Sequence, residues 1–197
     1  NLPTSPKILM VFAEPEGIQA GIIEEKRMVE EMDRSGTFGT ATVKILENPS
    51  PVEIRKALQD DEYNIFHFAG IDPKNFDYRP DKAEGIALVE DGKYVLFPEP
   101  DLVQLLGGLK NMNLVVLNTC DTSWRLAPQL VRSGVPTVVA MQYPTDKSTA
   151  IRFTRSFYPE LLDSKQFGDV GSALLEVRQS LSLGWSRRLP DSAGEEI

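Results

Sequence analysis

One cysteine and one histidine in 197 residues leave this chain short of the side chains from which many sites are built. A single cysteine excludes an internal disulfide, and one cysteine with one histidine cannot supply a Cys/His zinc site. No apolar run approaches the roughly 20 residues a membrane helix needs. Excess positive charge is also missing: with 21 Lys and Arg against 29 Asp and Glu the net charge is -8, and the pI is near 4.8. Without a basic cluster to offset the acidic whole, binding to nucleic acid or to an anionic membrane surface is not expected. No cofactor is implied, and a reducing, cytoplasmic setting fits the cysteine usage. The chain begins at Asn1 and carries no charged start followed by an apolar signal region, so we expect a processed product or a piece of a longer protein.

What is present is an ordinary globular composition, 41% hydrophobic and 25% charged, long enough for one well-buried core. Apolar runs bounded by turn signals alternate with segments of helical spacing. Residues 7–13 (KILMVFA) read as a strand, and 22–33 as a helix with Ile22, Ile23, Met28, Val29 and Met32 mostly on one side. A second strand is predicted over 41–46, a helix opening at Ser50-Pro51, and a third strand over 63–69. An irregular stretch rich in Asp, Pro and Lys follows Gly70, and then 85–97, where Asp91-Gly92 between apolar runs marks a hairpin beside the sheet. A helix over 101–109, a strand over 113–118, a helix over 124–133 closed by Gly134, a strand over 135–141 and helices over 146–162 and 170–183 complete the pattern. The tail from 186 is polar and without periodicity, and we expect it to be loosely held.

Strands apolar on both faces and joined by helices imply an α/β fold, a mostly parallel sheet of five to six strands with helices on both faces and the hairpin inserted after the third strand. In such sheets catalytic groups gather beyond the carboxyl ends of the strands, here the loops starting at Gly70 and Thr119. Cys120 leaves the apolar run NLVVLNTCDTS, a place for a nucleophile aimed into a cleft and equally one for a small buried hydrophobe. His67, within NIFHFAG, reads from spacing as a packed strand residue rather than a base. Glu24-Glu25 and Glu30-Glu31 read as a solvated helix face, because no histidine joins them as a metal site would require. Gly107-Gly108 lacks the phosphate-loop lysine and reads as a helix end, and FAEPEG after the first strand lacks the glycine-rich loop of a nucleotide-binding fold.

The segments His67-Phe68-Ala69-Gly70 and Leu117-Asn118-Thr119-Cys120-Asp121-Thr122 carry a resemblance. So do FAEPEG at 12–17, LENPS at 46–50, GVPTVVAMQ at 134–142 and AIRFTRSFY at 150–158. In order and spacing they resemble the CHAT family, caspase-like domains of the cysteine peptidase clan that also holds separases and metacaspases, whose pattern reads HFAGHG after the third strand and LNACES after the fourth. The match spans roughly 7–185, which sets a domain over 1–185 and a tail over 186–197. The resemblance implies that Cys120 is the nucleophile and that the base is the histidine of the His-Gly pair, which falls on Ile71-Asp72. Neither residue matches. His67 aligns with the earlier histidine, about 13 Å back along a strand, and is a weak stand-in.

The resemblance further implies a polar, acidic pocket beside Asp72, Asp121, Thr122 and Gln142, suited to an Arg or Lys side chain. Family members are often joined to helical repeats and act in bacterial signalling or defence. We therefore expect a pseudo-peptidase, a regulatory module that binds a peptide or protein partner, with a helical-repeat domain in the same or another chain as one candidate. The alternative is an active cysteine endopeptidase using Cys120 with His67 or a base from another chain.

Overall fold

The structure is a computed structural model that describes residues 2–14, 21–71, 84–119, 122–141 and 146–186. Chain order is β1 (Lys7–Ala13), α1 (Ile22–Arg34), β2 (Thr42–Glu47), α2 (Pro51–Asp60), β3 (Ile65–Gly70), β4 (Gly85–Glu90), β5 (Lys93–Pro98), α3 (Glu99–Gly107), β6 (Leu114–Asn118), α4 (Thr122–Arg132), β7 (Thr137–Ala140), α5 (Lys147–Leu162) and α6 (Val170–Ser186).

Local chemistry sets several of these boundaries. Ser50 caps α2 in a capping box, accepting from the Glu53 backbone N–H while the Glu53 carboxylate accepts from the Ser50 backbone, with Pro51 opening the helix. Asp146 caps α5 by accepting from the Thr149 N–H at 3.0 Å. The hairpin turn between β4 and β5 needs positive φ at both central residues, and Asp91 and Gly92 supply 51° and 72°. At Gly70, the last residue of β3, a Cβ would lie 2.3 Å from the Phe68 ring, so a side chain there would have to displace that ring. The expected helix at 101–109 begins two residues earlier, at Glu99 behind an extended Pro98.

Five strands form one parallel sheet in the order β2-β1-β3-β6-β7, and β4 and β5 form a separate antiparallel pair. Alternation along the central strands divides the core between the two faces. Leu9, Val11, Phe66, Phe68, Val115 and Leu117 pack under α2, α3, α4 and the hairpin. Ile8, Met10, Phe12, Ile65, Ala69, Leu114 and Val116 pack under α1, α5 and α6. The sheet order reverses between β1 and β3, the kind of switch point beside which ligands bind in open parallel sheets. Ala13 stands opposite Gly70 there, and Ala69 opposite Asn118 on the other side of β3.

Candidate functional site

The carboxyl ends of β3 and β6 are neighbours in the sheet, so the two segments singled out by sequence open from one edge. Ile71 and Cys120 each follow the facing pair Ala69 and Asn118 by two residues in sequence. Ile71 is half-buried and packs against the apolar cluster beneath α1, α5 and α6. Cys120, Asp72, Asp121 and Gln142 lie outside the described residues, as does the tail over 187–197. Thr122 is the first residue of α4, and its side chain is likewise outside what is described.

His67 occupies the third position of β3 with none of its surface exposed. Its Nδ1 lies 2.9 Å from the Tyr158 hydroxyl of α5. Its Nε2 lies 3.4 Å from Glu25 Oε1 of α1, at ion-pair distance but without hydrogen-bond geometry. The Phe12 and Tyr158 rings flank the imidazole with centroids 5.9 and 5.7 Å away. Burial, and after it the charge of Glu25, pushes the Tyr158 phenol well above its ordinary value, so the hydroxyl keeps its proton.

Glu25 corrects the reading of Glu24-Glu25 as a solvated pair. Glu24 does face solvent, where it pairs with Lys147. Glu25 is 2% exposed, and its Oε1 accepts from the Thr154 hydroxyl at 2.5 Å and from the Asn118 side-chain amide at 2.9 Å. The same amide nitrogen lies 3.3 Å from the Ala150 carbonyl oxygen. A buried carboxyl group needs hydrogen-bond partners in place of its lost water, and β6 and α5 provide them. A histidine does join this glutamate, from 42 positions along the chain. The sequence carried a hint: Glu25 recurs with Ile22, Val29 and Met32 at helical spacing, inside the apolar stripe of α1.

The arrangement is a closed polar cluster of Glu25, His67, Asn118, Thr154 and Tyr158 between the sheet and the α1–α5 layer, below the edge that carries the candidate cleft. Among the described residues no group of three or more His, Cys, Asp and Glu side chains is placed to hold a metal ion.

Comparison with known proteins gives one family and a consistent fold. The CHAT domain family model matches residues 5–188. Among solved structures the chain is similar to the Drosophila initiator caspase Dronc, at 12% identity and a TM-score of 0.52, over 89% of this chain and 72% of that one. It is also similar to a secreted C11 cysteine protease from Bacteroides thetaiotaomicron, solved with an irreversible peptide inhibitor, at 12% identity and a TM-score of 0.55. That match covers 98% of this chain and 62% of the protease, so the chain spans less than two thirds of its length. At such identity the likeness is one of fold. A search of curated proteins finds no match.

Proposed function

The chain belongs to the CHAT-domain family and has a caspase-like fold, and from that premise we propose that it is a pseudo-peptidase, a regulatory module that binds a peptide or protein partner. The observation that carries this reading is the state of the only histidine. His67 is fully enclosed, with Nδ1 against Tyr158 and Nε2 facing Glu25, while the position at which the family's loop histidine falls is Ile71.

The chemistry explains why that substitution matters. A free thiol of pKa about 8.5 is only about a few per cent ionised at neutral pH. Deprotonating it with a carboxylate such as Asp72 is uphill by roughly 6 kcal/mol, against roughly 2.7 for an imidazole. The departing amine also needs a proton, and loss of acid/base help costs on the order of a hundred- to ten-thousand-fold in rate. A cleft of this kind still binds. Asp72, Asp121, Thr122 and Gln142 favour an Arg or Lys side chain by charge. The family's habit of pairing with helical repeats, in bacterial signalling or defence, suggests a partner domain in the same or another chain and a cytoplasmic setting. No described helix is long and apolar enough to cross a membrane.

The test is cleavage of a mixed fluorogenic peptide library by the purified chain, by Cys120→Ala and by an Ile71→His/Asp72→Gly double variant. The expected result is activity in the double variant alone, at least a hundredfold above the parent. Cleavage by the unmodified chain that disappears in Cys120→Ala would overturn the proposal in favour of an active endopeptidase, with His67 or a base from another chain.

A further inference from the structure

The β4–β5 pair shares no ladder with the five-stranded sheet, so side chains must fasten its base to the rest of the fold. Glu84, just before β4, and Glu99, just after β5, are joined by the Glu99 N–H, which donates to the Glu84 carbonyl at 2.8 Å. Helix α4 then meets both acidic side chains: Arg125 pairs with Glu84, and Gln129, one turn further on, donates to Glu99 Oε1.

The two contacts differ in kind. The Arg125 and Glu84 side chains are 40% and 44% exposed, so water and salt screen their pair. Glu99 is 4% exposed, and its Oε2 has no hydrogen-bond partner among the described residues. The charged groups on the surrounding elements are matched with one another, Arg125 with Glu84 and Arg55 of α2 with Asp101 of α3 at 2.9 Å. A protonated carboxyl suits such a site, since Oε1 accepts from Gln129 and no charge is buried; a carboxylate would bring a buried charge with one donor among the described residues for its two oxygens. The first turn of a helix favours negative charge, yet burial outweighs it and raises the Glu99 carboxyl above its ordinary 4.5.

We propose that Glu99 is a proton-operated latch on the hairpin: while it holds its proton the base of β4 and β5 stays closed on α4, and once the proton leaves the base opens locally while the sheet stays folded. Closure is full below the ordinary value and weakens as pH rises through the folded one. Leu88, nearer the turn, is fully buried in the apolar core, which confines the opening to the base.

Hydrogen exchange of the full chain tests this, with amides at the hairpin base (84–86 and 97–99) and in α4 compared with those of β1, between about pH 5 and pH 8 and with urea added below the unfolding transition. Rates are corrected for the intrinsic effect of pH. Protection at the base is expected to fall by up to about tenfold per pH unit above 4.5 until the folded value is passed, through an opening that urea barely affects, whereas β1 exchanges with the urea dependence of global unfolding. Glu99→Gln keeps an acceptor for Gln129 and mimics the protonated form, so its base should stay protected at every pH. Arg125→Met removes the Glu84 pair but not the buried carboxyl, so its protection should be lower throughout and its pH dependence retained.

A base that follows urea as steeply as β1 at every pH overturns the proposal, and so does a pH dependence that survives in Glu99→Gln or vanishes in Arg125→Met. If Glu99→Gln does not fold, the parent decides: the fall in base protection must level off at the midpoint of the Glu99 carboxyl titration, followed by its carbon-13 shift. A midpoint at the ordinary 4.5, or a flat protection profile, ends the latch.

Discussion

The hydroxyl of Tyr158 and Nδ1 of His67 lie 2.9 Å apart although 91 residues separate them in sequence, and neither side chain is exposed. A buried ring nitrogen stripped of its partner has no water to turn to. Tyr158→Phe keeps the packed ring and removes only that partner, so we expect a loss of about 1–3 kcal/mol, read from the urea midpoint. A change within about 0.5 kcal/mol, the range of ordinary surface substitutions, would show that the contact contributes nothing to the fold.

Glu99 opens α3 and is 4% exposed. Gln129 donates to its Oε1, while Oε2 has no hydrogen-bond partner among the described residues. Burial raises the pKa of this carboxyl above its ordinary 4.5. A group raised on folding contributes stability that is full below the unfolded value and lost as pH rises through the folded one. Glu99→Gln retains an acceptor for Gln129 and removes the titration. Its melting temperature is therefore expected to exceed that of the parent at pH 7, with the gap narrowing as pH falls toward 4. A gap that stays constant with pH contradicts the assignment.

Asp146 shows the opposite sign. Hydrogen bonds from the Ser148 and Thr149 hydroxyls, with further help from the Thr149 backbone N–H, hold its carboxyl down to about 2 from an ordinary 3.8. Its stabilisation is present above the ordinary value and fades as pH falls toward the folded one. Asp146→Ala should cost about 0.5–2 kcal/mol at neutral pH, the usual worth of a helix cap. Calorimetry between pH 7 and pH 2 should find the two proteins converging below about pH 4. A variant as stable as the parent at pH 7 would mean that α5 does not depend on this cap.

The elements were legible to the extent that their signals are local. Apolar runs gave β1 and β6 nearly to the residue, Ser50-Pro51 gave the start of α2, and Asp91-Gly92 gave the hairpin turn. Ends set by pairing rather than composition shifted: of the run over 135–141, Thr137 to Ala140 stand in register with Leu114 to Leu117 of β6, and the Met141 N–H adds a last bond to the Leu117 carbonyl. Glu25 was misread because acidity was weighed by residue type. Its place in the apolar stripe was the better guide, since position on a helix decides burial before charge does.

The sequence by itself determined the alternating plan, the family, the single cysteine and histidine, and Ile71-Asp72 at the place of the family's His-Gly pair. All of these are properties of short segments and their order. Only the tertiary structure decided that β1 lies between β2 and β3, that α1 and α5 share a face, and that Glu25, His67, Asn118, Thr154 and Tyr158 meet there. Glu25 and Thr154 are 129 residues apart, beyond the reach of any periodicity. A buried carboxylate finds its donors through the packing of the sheet and its covering helices, and that packing is a property of the whole chain.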